Sequence, residues 1–191
     1  MLRVNAVAIA LLAATHATGS VRVASVAFVP TKWDKAANWA QIEARVTAAA
    51  EAGADLVVTP EGALEGYVIN EVNEATNKTE HEALVRRFVE IAEPLNGSFA
   101  TKAAELSRRL GIFLLLGFLQ RNGTLVHNAA ALYDDHGQLQ LLYHKTHFAQ
   151  GYAINPACYS PGADFPVART RLGAIGVMIC FDRQLPEVAR G

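Results

Sequence analysis

The stretch GAIGVMICFDRQLPE, residues 173–187, sets a cysteine at the seam where an apolar run ends and charge begins. Residues 172–179 have the short, bounded apolar character of a buried strand and 183–190 the composition of a helix, so Cys180 is expected at a strand-to-helix turn. A lone cysteine is ordinarily a small core hydrophobe. Two other segments repeat the design: DLVVTP (55–60) leads directly to Glu61, and LQLLYH (139–144) leads directly to Lys145. An acid, an amine and a thiol thus each stand at the carboxyl end of an apolar run. In α/β sheets that edge is where loops shape a pocket over a rigid base. If the three strands lie side by side and parallel, the three groups converge.

The rest of the chain supplies a frame for such a sheet. Its 191 residues, 51% hydrophobic and 18% charged, suffice to bury the core of one domain. Strands are expected at 21–29, 55–59, 112–118, 125–133, 138–144 and 172–179, with Asn122-Gly123 turning the third into the fourth as a hairpin. Helices are expected at 33–52, closed by Gly53, at 80–92, and at 99–110, stopped by Gly111. Residues 60–77 read as a loop. This mixture predicts an α/β layered domain with helices covering sheet faces. The formal net charge of -1, with no lysine or arginine block, leaves no electrostatic footprint for nucleic acid or an anionic membrane, so small molecules are the expected partners.

The first twenty residues combine Arg3, an apolar stretch from 4 to 14 and small residues near Ala17 and Gly19, the layout of a secretory signal peptide. The expected division is therefore a leader at 1–20 and one domain at 21–191, in a secreted or secretory-pathway protein. Three sequons at Asn77, Asn96 and Asn122 suit glycosylation of an exported chain, although Asn-Gly also makes turns on its own account. Cys158 and Cys180 are too few for a disulfide framework, and a bridge between them would silence thiol chemistry at Cys180. His144 and His147 sit without a Cys-x-x-Cys pair, which is not a zinc pattern, and no metal is expected.

Acid, amine and thiol together have a chemical logic. A thiolate attacks a carbonyl or nitrile carbon, but a free thiol is mostly protonated near neutrality and needs a base or a nearby positive charge. Glu61 can be the base. Lys145 can stabilise the thiolate and then the oxyanion of a tetrahedral intermediate.

The segments VVTPEG (57–62), YHKTHF (143–148), SPG (160–162) and GVMICFDR (176–183), in this order and at these separations, resemble the nitrilase, or carbon–nitrogen hydrolase, superfamily. The resemblance implies an α-β-β-α sandwich, usually a homo-oligomer, with no metal or organic cofactor. It implies Glu61 as general base, Lys145 as electrophilic stabiliser and Cys180 as nucleophile of a hydrolase acting on a small amide through a thioester. Nitrile hydrolysis and N-acyl transfer are the alternatives open to the same triad. Many members carry a second glutamate where this chain has Asn155, an amide that can orient substrate but cannot take a proton as a carboxylate does. Asn155, Tyr67 and Phe181 are the expected substrate contacts. The chain stops at Gly191, soon after the nucleophile motif, whereas members of the superfamily continue. A fragment is expected, and an inactive binding module is the non-catalytic alternative.

Overall fold

The computed structural model describes residues 20–149 and 158–190; residues 1–19 of the expected leader, and Asn155, lie outside them. Strands β1 (Val23–Ser25), β2 (Leu56–Val58), β3 (Phe113–Asn122), β4 (Leu125–Tyr133) and β5 (Leu139–His144) form one sheet in the order β1-β2-β3-β4-β5. A hairpin of β6 (Val167–Thr170) and β7 (Gly173–Gly176) forms a second. The helices are α1 (Lys35–Glu51), α2 (Ile69–Asn73), α3 (Lys78–Ile91), α4 (Ser98–Leu110) and α5 (Pro186–Arg190), with a 3-10 turn over Cys180–Gln184.

Local chemistry sets the helix ends. Asp34 caps α1 by accepting the Ala37 N–H at 2.9 Å, and Asn77 caps α3 by accepting the Glu80 N–H at 3.0 Å. Gly111, at φ 65°, closes α4 in the left-handed conformation that a β-carbon disfavours. The three sequon asparagines are all exposed.

The period of two along β2, β3 and β4 sorts their side chains onto two faces, both covered. On one face Val57, Leu114, Leu116, Ala129 and Ala131 pack against Trp39, Ile42 and Val46 of α1 and Ala103 and Leu106 of α4. On the other, Leu56, Val58, Leu115, Leu132 and Tyr143 pack against Ala168 of β6, Ile175 of β7 and the extended residues Val177 and Ile179. Double coverage explains why β3 and β4 read as nearly unbroken apolar runs. The successive layers are helix, sheet and sheet, an α/β sandwich of the expected type. A third apolar cluster joins α2 and α3 to Leu119, Val126, Cys158 and Tyr159.

The convergence expected from adjacent strands takes a different route. β2 pairs in parallel with β1 and β3, while β3, β4 and β5 are antiparallel neighbours, so β5 runs in the direction of β2 but is separated from it by β3 and β4. The expected strand at 172–179 is only Gly173–Gly176, paired with β6 in the other sheet. Cys180 therefore approaches Glu61 and Lys145 across the sandwich, carried by residues 177–179 as they leave the hairpin. The reason is packing: Val177 and Ile179 are buried against the first sheet.

Candidate active site

Glu61 is positioned by the junction of β2 with β3. Thr59 donates its backbone N–H to the Leu115 carbonyl at 3.0 Å, and its Oγ1 accepts the Gly117 N–H at 2.8 Å. Gly117 is required by close approach: a β-carbon there would lie 2.2 Å from the Pro60 carbonyl oxygen and 3.3 Å from the Glu61 Cα. The chain can thus turn tightly over β3 just before it presents Glu61.

Lys145 is fixed on both sides of its backbone. Its N–H donates to the Asn128 carbonyl at 2.8 Å, and its own carbonyl accepts the Gly162 N–H at 2.9 Å. Its side chain is 2% exposed, and Nζ donates to Glu61 Oε1 at 2.7 Å. The same oxygen accepts the Asn128 Nδ2–H at 2.7 Å. One carboxylate oxygen thus takes a charged and a neutral donor in a site largely shielded from water, where such bonds are strong. The Phe148 ring centroid lies 5.5 Å from Lys145 Nζ.

Cys180 completes the cluster. It lines a cleft together with Thr59, Pro60, Glu61, Gly117, Ala129 and Ile179, close enough to Glu61 and Lys145 for its thiol to feel both charges. Its backbone sits at φ 50°, a conformation non-glycine residues seldom adopt. Asp182 holds this turn. Buried completely, it accepts from the Ile179 N–H at 2.9 Å and the Tyr143 hydroxyl at 2.7 Å through Oδ2, and from the His147 N–H at 3.0 Å and Thr146 Oγ1 at 3.2 Å through Oδ1. The segment bearing Lys145 and the turn bearing Cys180 are joined through this one carboxylate.

Burial first, and the neighbouring Glu61 charge after it, push the Cys180 thiol up; Lys145 and Arg183 pull it back. Burial thus favours the neutral form of the thiol that stands beside Glu61. Cys158 is also free, but it is buried in the third apolar cluster and pushed up by desolvation to about 11.

The structure brings Glu61, Lys145 and Cys180 together. Tyr67, at φ 52°, packs against the third cluster, and Phe181 is half-buried in the 3-10 turn; among the described residues neither lines the cleft. His144 stacks on His127 with ring centroids 3.9 Å apart, and the His127 Nδ1 lies 2.7 Å from the Ser160 carbonyl. Among the described residues no group of three or more histidine, cysteine, aspartate or glutamate side chains is arranged to hold a metal, and no helix is long and apolar enough to cross a membrane. Sequence reasoning missed Asn128 and Asp182 as site residues. The signal for Asn128 was a polar residue inside the apolar run of β4; Asp182 stood in the quoted motif without an assigned task.

Glu65 is a further carboxyl near the site, fully buried and with its Oε2 accepting the Leu119 N–H at 3.1 Å. Desolvation raises it to about 7, and the Glu61 charge adds to the rise.

Comparison with known proteins bears on what this geometry serves. The family model for carbon-nitrogen hydrolase matches residues 22–191. A citrullinase of Francisella tularensis is 29% identical over 160 residues, which is 82% of this chain and 52% of that protein. An N-carbamoylputrescine amidase of Solanum lycopersicum is 30% identical over 173 residues, 89% of this chain and 53% of that protein. The chain therefore spans about half the length of these relatives. Among solved structures, a mutant amidase from Nesterenkonia sp. AN1, carrying the acetamide moiety of fluoroacetamide at its active site cysteine, superposes with a TM-score of 0.68 at 22% identity, covering 89% of this chain and 59% of that one.

Proposed function

The chain belongs to the carbon-nitrogen hydrolase family, and on that premise we propose that it hydrolyses a small amide through a thioester on Cys180. The observation that carries this reading is the meeting of three groups at Glu61: the Cys180 thiol, the Lys145 ammonium at 2.7 Å and the Asn128 amide at 2.7 Å.

In this mechanism Cys180 Sγ forms a bond to the amide carbon as its proton passes to Glu61. The carbonyl π-electrons move to oxygen, and Lys145 stabilises the resulting oxyanion. Glu61 then gives its proton to the nitrogen, the C–N bond breaks, and ammonia or an amine leaves an acyl-thioester. Water attacks that thioester while Glu61 takes a proton from it, and the C–S bond breaks to release the acid. Sulfur finally recovers the proton from Glu61. A base that is both acceptor and donor suits this two-stage course. Lys145 stays protonated throughout, and Asn128 keeps Glu61 Oε1 in place.

The names of the relatives, citrullinase and N-carbamoylputrescine amidase, support an amide-type substrate, as does a mutant Nesterenkonia amidase described in complex with butyramide. The test is release of ammonia or amine from small neutral amides by wild type, Cys180→Ala and Cys180→Ser. Both variants are expected to keep the wild-type circular dichroism and lose at least about 10³-fold in turnover, the usual scale for loss of a nucleophile. Retained turnover in Cys180→Ala would rule the mechanism out.

A further inference from the structure

Glu65 stands four residues after Glu61 on the same turn, 2% exposed, and the mechanism above gives it no task. The turn is built around it. Gly62, at φ 61°, leaves the space the Glu65 carboxyl uses, since a β-carbon there would lie 2.7 Å from Glu65 Oε1 and 3.0 Å from the Tyr67 ring. The Glu65 carbonyl accepts the Trp33 N–H at 3.0 Å, and the preceding Leu64 carbonyl accepts the Asn38 Nδ2–H at 2.9 Å. Residues 64 and 65 are thereby tied to the start of α1, while Glu65 Oε2 is tied to β3 through Leu119.

The charged and titratable groups that act on Glu65 are few. Glu61 faces it from its own turn, Lys35 from α1, and Tyr159 from the segment after β5; β3 contributes a backbone amide. Lys35 is already paired with Glu93 at 2.6 Å. Among the described residues Glu65 has no cation of its own, and a buried carboxyl in that position is neutral far more readily than one in water. Glu61, by contrast, has Lys145.

We propose that Glu65 is a positioning residue of this site, a neutral carboxyl that props the turn beneath Glu61 and that, once ionised, adds a second negative charge to the site and by that charge opposes thiolate formation at Cys180. The inference rests on the triad reading. A proton held on Glu65, the carboxyl without a cation, spares the site a second negative charge beside Glu61. Glu61 is then left free to accept the proton of the thiol.

The test compares alkylation of Cys180 by iodoacetamide in wild type and Glu65→Gln, with the modified residue assigned by peptide mass. Glutamine keeps an acceptor for the Leu119 N–H but carries no charge at any pH. Below about pH 6 the two proteins are expected to react alike, because Glu65 is then neutral; above about pH 8 Glu65→Gln is expected to react about threefold faster, the wild-type thiol being opposed by an added negative charge. Coincident profiles across the range would mean that Glu65 serves the fold alone and would overturn the proposal. Should Glu65→Gln not fold, carboxyl-carbon NMR of the wild type labelled at glutamate decides. A glutamate carboxyl titrating near 7 supports the proposal, and none titrating above about pH 6 overturns it. Turnover by Cys180→Ala would remove the triad and this inference with it; coincident alkylation profiles with an inactive Cys180→Ala would remove this inference alone.

Discussion

Glu65 and His144 are moved in opposite directions by the same cause. Burial disfavours charge, so Glu65 rises from 4.5 to about 7 while His144 falls from 6.5 to about 4, helped down by the stacked His127. The signs for stability follow from which state binds more protons. Glu65 favours the fold fully below pH 4.5, and that contribution is lost as pH rises through about 7. His144 favours the fold above pH 6.5, and its contribution is lost as pH falls toward about 4. The two slopes oppose each other in between. Glu65→Gln is therefore expected to gain stability relative to wild type as pH rises from 5 to 8, by on the order of 3 kcal/mol, measured as the difference in urea unfolding free energy at the two pH values. Parallel curves for the two proteins would show that Glu65 is not held neutral by the fold. At this scale the sequence was informative where chemistry marks a residue by itself. Glu61, Lys145 and Cys180 stood out because each follows an apolar run. Glu65 did not, because its distinction is burial, which depends on Gly62 and Leu119 and not on its own neighbours in the chain.

At the scale of elements, the site depends on two close contacts. The first is Gly117 in β3, whose missing side chain admits the Pro60 carbonyl. Gly117→Ala places a β-carbon 2.2 Å from the Pro60 carbonyl oxygen, so β2's exit must shift and Glu61 with it. Turnover is expected to fall by at least about tenfold while the far-UV circular dichroism stays that of wild type, in keeping with the cost of small misplacements at a reacting centre. Wild-type turnover would show that the β2 exit relaxes without moving Glu61. The second contact is Asp182, which accepts four hydrogen bonds from the Lys145 segment and the Cys180 turn. Asp182→Asn turns one acceptor oxygen into a donor facing donors. It is expected to destabilise the protein by about 3 kcal/mol, read from urea unfolding at neutral pH, whereas a loss under about 1 kcal/mol would show that the clamp is dispensable. The hairpin of β3 and β4 was legible from Asn122-Gly123, and α1 and α4 from their closing glycines. The hairpin of β6 and β7 was not. VART is short and only partly buried, and the apolar run after Gly176 continues as extended chain packed on the other sheet and not as a paired strand. Sequence marks the apolar character of residues 177–179 but not their partner.

Across the whole molecule, the site is a property of the sandwich and belongs to neither sheet alone. Glu61, Asn128 and Lys145 come from the five-stranded sheet and its exits, and Cys180 comes from the chain leaving the two-stranded one. Order and spacing of the motifs announced the family, because each motif is local. That the cysteine crosses from a second sheet was not legible, since the register between layers is set by side chains such as Val58, Leu115, Ile175 and Ile179 meeting in the core. The most direct measurement is acid-quenched mass spectrometry during turnover of a small amide. An acyl adduct is expected on the peptide that holds Cys180, lost in Cys180→Ala along with product; an adduct on another residue, or turnover in Cys180→Ala, would contradict a thioester on Cys180.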